Sequence, residues 1–216
     1  MKDVKSEFEK VIRDGLDTIY HSSEEYKAKI IEIDNAAMDF FESAIQSCNI
    51  KDEFDMMCSP THIFEVSSES KKTRTRFTFG FSAHDMSFFL SMDIDNPLYL
   101  KNLQDRFLVD FFRVCNEHGI EYKSDHHETS GKSIFNKSIK SNIFRLFRNY
   151  TSDMLSEDGF KVYDNFRLGY FEKTWKYNLK DMNIGGIYND ICVLIKFFYK
   201  FNYYLWKAKC GDEKNK

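Results

Sequence analysis

Proline is nearly absent from this chain. Two prolines and nine glycines in 216 residues leave few places where a helix or strand is forced to stop, so long regular elements are expected. Disorder is expected only in the polar tail 210–216. Cysteine is also scarce: five residues, at 48, 58, 115, 192 and 210, are odd in number and widely scattered. That is no disulfide framework, and it points to a reducing, cytoplasmic setting. The N-terminal stretch MKDVKSEFEK has no apolar segment, so no secretory signal is expected, and neither Lys2 nor the C-terminal residues fit a lipidation signal. No uninterrupted apolar run reaches membrane-spanning length: the greasiest stretch, 187–207, carries Lys196 and Lys200 in its interior.

The chain is instead rich in aromatics, with 22 phenylalanines and 12 tyrosines, each able to bury a large apolar area. Few prolines together with many Lys, Asn, Phe and Ile fit an AT-rich genome, bacterial or viral. The net charge of −3 conceals a polarity along the chain. Residues 1–60 hold 7 Lys and Arg against 14 Asp and Glu, whereas 131–150 hold five cations and no acid. Such asymmetry suits either an acidic docking face or a basic nucleic-acid face.

Periodicity sets the expected fold. Val4, Phe8, Val11, Ile12, Leu16 and Ile19 recur at helical spacing, giving a first helix over about 3–20. Ser22 with Glu25 matches a capping box, and Tyr26, Ile30, Ile33, Ala37, Phe40, Ala44 and Cys48 stripe a second helix. The period then changes to two. Ile63, Phe64 and Val66 begin a short strand. Thr75, Phe77, Phe79 and Phe81 alternate with Arg74, Arg76, Thr78 and Gly80. Met86 to Ile94 alternate again, and the turn Ser82–Asp85 joins these two strands as an antiparallel hairpin. Asn96-Pro97 reads as a helix start and Gly119 as its stop, with a strand over 120–123. A basic helix is expected over 132–154 and a second hairpin around Asp164-Asn165. Gly185-Gly186 opens the last helix, on which Asn189, Lys196, Lys200 and Lys207 share one thin line and nearly every other position is apolar. The expected class is α+β: an antiparallel sheet of about 4–6 strands packed with helices, preceded by an N-terminal helical hairpin and closed by a buried aromatic helix. The simplest partition is an acidic hairpin over 1–50, an α+β core over 51–209 and the tail.

Several constellations are candidates for chemistry. Glu121-x-Lys123 on a strand, with Asp93 or Asp95, imitates the acid–acid–lysine set that holds a catalytic metal in restriction-type nucleases, since positions two apart share a strand face. Cys115, His118, His126 and His127 are the only cluster of good zinc ligands, although their spacing is not that of a structural zinc site. Arg113 and His118 form an R-x4-H match and in this are similar to HEPN ribonucleases, an all-helical family in which such a pair, joined across a dimer, cleaves RNA. Five helical steps of about 100° place the two side chains about 140° apart, so the match is not adopted. Thr129-Ser130-Gly131-Lys132-Ser133 lacks the first glycine of a phosphate-binding loop, where His126 stands instead.

Two basic segments could contact phosphates: Lys71, Lys72, Arg74 and Arg76, and Lys132, Lys137, Lys140, Arg145 and Arg148, the latter interleaved with Phe135, Phe144 and Phe147. The acids of the hairpin, with Glu24, Glu25 and Glu32 as representatives, could contact a protein. No convergent catalytic set is complete, and no cofactor is implied. The expectation is therefore a non-catalytic binding protein, an adaptor or inhibitor in a bacterial or viral host–parasite system, with a protein partner. A second copy could dock through the C-terminal helix. Nucleic-acid binding through the basic segments is the alternative, and a metal-dependent nuclease the third.

Overall fold

In the computed structural model, the described residues are 3–19, 23–59, 63–95, 97–123, 170–178 and 181–214. The expected helix over 132–154 and the first arm of the second hairpin lie outside them. Among the described residues the chain runs α1 (Val4–Ile19), α2 (Ser23–Ser47), β1 (Phe54–Cys58), β2 (Glu65–Ser70), β3 (Arg76–Ser82), β4 (Ser87–Asp93), a 3-10 helix (Pro97–Asn102), α3 (Asp105–Glu117), β5 (Glu121–Lys123), β6 (Tyr170–Lys176) and α4 (Ile184–Lys214). The six strands form one antiparallel sheet in the order β1-β2-β3-β4-β6-β5. The α+β class with an N-terminal helical pair and a long aromatic last helix is as the periodicity predicts. The chain forms two compact units, Met1–Leu90 with Thr174–Phe197 and Ser91–Lys173 with Phe198–Lys216.

In the first unit the alternation of β3 sets the core. Phe77, Phe79 and Phe81 are buried, while Arg76 is exposed and Thr78 half-buried. The register pairs Phe79 with Val66 and Phe77 with Ser68, so both strands turn their buried positions to one face. Phe79 is the hub: its ring lies 5.4 to 6.1 Å from those of Phe8, Phe40, Phe41, Phe64 and Phe88. Phe8 stacks on Phe40 at 4.4 Å, which brings α1 against α2. Each buried phenylalanine contributes about 1.5–3 kcal/mol, so this cluster is the main apolar stabilisation of the unit. Gly80 faces the other way, where an added Cβ would stand 2.5 Å from the ring of Phe89 and 3.0 Å from the carbonyl of Phe64. The turn from β2 to β3 closes on its own hydroxyls: Thr73 Oγ1 lies 2.9 Å from Ser70 Oγ and 2.7 Å from Thr75 Oγ1.

In the second unit Phe111 of α3 plays the same part, with ring centroids 4.5 Å from Phe201, 5.0 Å from Phe171 and 5.6 Å from Phe198. Buried Asn202 supplies the polar lock. Its amide nitrogen donates to the carbonyls of Asp93 and Phe198, both at 3.0 Å, and its oxygen accepts from the Asp95 backbone N–H at 2.8 Å. Every polar atom of that side chain is therefore satisfied without water.

Several boundaries differ from expectation. The Asn96-Pro97 signal opens a 3-10 helix, and α3 begins only at Asp105 after an extended Gln104, with Asp105 as the acid of its first turn. Gly119 does stop α3. At φ 60° it donates to Asn116 O while Ile120 N reaches Cys115 O, the two bonds of a Schellman end. β1 has no counterpart in the periodicity, because FDMMC at a sheet edge shows no clean alternation. α4 starts at Ile184, its first turn capped by Asn183 Oδ1 accepting from Gly186 N at 2.8 Å. It runs to Lys214, through part of the expected tail, where Glu213 and Lys214 are good helix formers. Asn189, Lys196, Lys200 and Lys207 are all exposed along it, as their shared line predicts.

Replacing Phe79 by alanine is expected to cost about 3–5 kcal/mol. Val193→Ala, at a position 49% exposed, should change stability by less than about 0.5 kcal/mol. Urea unfolding of both variants measures the difference, and equal effects would show that the aromatic hub is not where stability resides.

Candidate functional site

The expected acid–acid–lysine set forms only in part. Glu121 and Lys123 share a face of β5, and the register sets Glu121 opposite Glu172 and Lys123 opposite Tyr170 of β6. Glu172 is 7% exposed and is the residue that organises this face. One of its carboxylate oxygens accepts from Lys123 Nζ, and the other accepts from Ser91 Oγ at 3.3 Å. Asp93 is two residues beyond Ser91 on β4, hence on the same strand face, and half-buried.

Burial pulls the pKa of Lys123 down, but the carboxylate of Glu172, with Tyr170 and Glu121 adding, raises it overall above the ordinary 10.5. A lysine acting as base or nucleophile needs the opposite shift. Lys123 is thus a fixed ammonium that neutralises a buried carboxylate. Glu172 was not legible as a partner because it follows Lys123 by 49 positions; only the β5–β6 pairing unites them.

The first basic segment is likewise engaged with acids. Lys71 Nζ lies 3.0 Å from Glu53 and 3.5 Å from Asp55, while Arg74 and Arg76 both reach Glu69, at 2.6 and 3.1 Å. Lys72 Nζ donates to the carbonyl of Lys51 at 3.4 Å. Lys51, Asp52, Glu53, Lys71 and Lys72 line an open depression of about 570 Å³, a mixed lining rather than a cationic one. Lys132, Lys137, Lys140, Arg145 and Arg148 lie outside the described residues.

Of the candidate zinc ligands, His118 is the C-cap of α3, and burial pushes the Cys115 thiol up to about 12. His126 and His127 lie outside the described residues, and among the described residues no group of three or more His, Cys, Asp or Glu is arranged to hold a metal ion. Arg113, of the R-x4-H pair, is bound to Asp110 and Glu117 on its own helix at 3.4 and 3.2 Å.

The acidic hairpin has a different character. α2 buries Ile33, Ala37, Phe40, Phe41, Ala44 and Ile45, and exposes Glu32, Asn35, Asp39, Glu42 and Gln46. At about 100° per residue these five outward positions fall within an arc of about 80°. Ile31, 61% exposed, borders the arc. Glu32 is 2.8 Å from Lys29 on the same helix. Glu24 and Glu25 belong to α2, with side chains outside the described residues.

No protein-family model, curated protein or solved structure matches this chain. No helix among the described residues is long and apolar enough to cross a membrane.

Lys123→Met isolates the role of the Glu172 pair. Breaking a buried pair costs about 3–5 kcal/mol, but Lys123 keeps 42% of its side chain exposed. Solvent screening therefore reduces the expected loss to about 1–2 kcal/mol. Adding Glu172→Met to Lys123→Met removes the stranded carboxylate and should recover part of that loss. In the native chain the raised pKa makes the lysine's contribution complete below pH 10.5, fading as pH climbs through the folded value. Chemical denaturation across pH checks both; a neutral, pH-independent Lys123→Met would contradict the assignment.

Proposed function

We propose that this is a non-catalytic binding protein of the cytoplasm, an adaptor or inhibitor that engages a basic partner protein through the outward strip of α2. The observation that carries the reading is the composition of that strip: three carboxylates, Asp39, Glu42 and Glu32, the last paired with Lys29 on its flank, and two amides, with Ile31 at its border as an exposed apolar anchor. A strip of one sign on a rigid helix steers a partner of the other sign, and an apolar residue beside it adds desolvated contact. The inner face of the same helix is fixed by Phe40 and Phe41 in the aromatic core, so the strip is held in one orientation before any partner arrives. That lowers the ordering cost of binding.

Two further observations favour this reading over its rivals. The lysine of the nuclease-like triplet is committed to Glu172, and both oxygens of that carboxylate are already accepting. Three of the four cations at 71–76 are paired with Glu53, Asp55 or Glu69, which reduces the charge they offer to phosphates. Five free cysteines support a reducing compartment.

The test is a charge reversal, Glu32→Lys with Asp39→Lys and Glu42→Lys, compared with the native chain in retention from a nuclease-treated extract. A protein partner held by the native chain should lose about ten-fold in affinity, roughly 1.4 kcal/mol, with the far-UV spectrum and unfolding midpoint preserved. Equal retention by the folded triple variant would remove the strip as the docking site. Retention abolished by nuclease would move the function to the basic segments.

A further inference from the structure

Cys48 closes the C-terminal end of α2 and Cys192 lies in the third turn of α4, both within the first compact unit. Their thiols converge on one backbone oxygen. Cys48 Sγ donates to Ala44 O at 3.2 Å, and Cys192 Sγ donates to the same atom at 3.6 Å. Cys48 Sγ also lies 3.5 Å from the carbonyl of Cys192. Neighbouring contacts hold the helices there: Tyr188 Oη is 3.0 Å from Ser43 Oγ and 2.8 Å from Ser47 Oγ.

The two sulfurs have different surroundings. Cys48 is 5% exposed, whereas Cys192 is half-buried. The charged groups facing Cys192 are cations from two elements, Lys196 one turn along α4 and Lys5 of α1, the latter with its ammonium 4.2 Å from the Tyr188 ring. The hydrogen bond from Cys48, reinforced by Lys196 and Lys5, holds Cys192 down to about 7 against the effect of its own burial. The same bond, with burial, pushes Cys48 up. Burial also raises Cys58, with Asp34 adding, to about 11, and Cys115 to about 12. One accessible thiolate beside one buried, protonated thiol is the division of labour between an attacking and a resolving cysteine.

We propose that Cys192 and Cys48 form a reactive dithiol, a modification site at which the Cys192 thiolate attacks a hydroperoxide and Cys48 resolves the product into an intramolecular disulfide. In the first step the Cys192 sulfur bonds to one peroxide oxygen and the O–O bond breaks; the departing oxygen takes a proton and leaves as water or alcohol. Cys192 is then a sulfenic acid. The Cys48 sulfur attacks it, the S–S bond forms, and the hydroxyl leaves as water with the Cys48 proton. The two thiols lose two electrons and the peroxide gains them. The bond fastens the last turn of α2 to α4.

The experiment treats the native full-length chain at pH 7 with hydrogen peroxide, blocks the remaining thiols and maps them by mass spectrometry. Free thiols should fall from five to three, with a Cys48–Cys192 linked peptide and no other. Cys48→Ala should instead yield a single sulfenic acid on Cys192, trapped by dimedone. With iodoacetamide in place of peroxide, Cys192 should react about three-fold faster than an ordinary exposed cysteine, its larger thiolate fraction outweighing its lower intrinsic nucleophilicity. It should also outpace Cys58, although Cys58 is the more exposed. The native-chain result stands whether or not the Cys48→Ala variant folds. Peroxide that leaves Cys48 and Cys192 reduced, a disulfide through any other cysteine, or Cys58 reacting ahead of Cys192 would overturn the proposal.

Discussion

Burial of one phenylalanine-lined sheet face is the constraint on which the first unit depends. Phe79 can be removed from water only if α1 and α2 bring Phe8, Phe40 and Phe41 over it, and this fixes which sides of those helices point outward. The acidic strip of α2 is therefore a geometric consequence of core packing, since residues a helical half-turn from Phe40 and Phe41 have nowhere to go but solvent. The second unit solves the same problem around Phe111, and there the cost of enclosing backbone carbonyls is met by the amide of Asn202.

Several polar groups near the core are matched locally, and several at the surface are matched where the sheet brings opposite charges together. Glu172 is tolerated at 7% exposure because Lys123 and Ser91 satisfy both of its oxygens. Glu69 draws Arg74 and Arg76 onto itself across the β2–β3 pair. Charges that add up to a basic segment along the chain are thus partly compensated in space. The carboxylates of Glu32, Asp39 and Glu42 lie on an outward helix face rather than between strands, where a second molecule can reach them.

Where hydrophobic period was strong, structure was legible. The alternation through Phe77, Phe79 and Phe81 located both the strand and its buried side, and the line of Asn189, Lys196, Lys200 and Lys207 located the exposed side of the last helix. Legibility failed where the deciding interaction was not periodic. β1 is defined by its pairing with β2, not by its own sequence. The Asn96-Pro97 signal marks a turn of 3-10 helix because local propensity does not determine how far the helix propagates. Sites fared worst, since their members are distant in sequence. Glu172 meets Lys123 across 49 residues, and Cys192 meets Ala44 across 148. No spacing pattern records either meeting; only strand register and helix packing create them.

The docking role of the α2 strip is the central claim, and zero-length carbodiimide cross-linking of the native chain in cell extract probes it most directly. The reagent joins a carboxylate to an amine only when the two are in contact, so it reads the acids that face a partner's lysines. The account predicts partner peptides linked to Glu32, Asp39 and Glu42. Links confined to carboxylates elsewhere on the chain, with those three unmodified in the recovered complex, would contradict it.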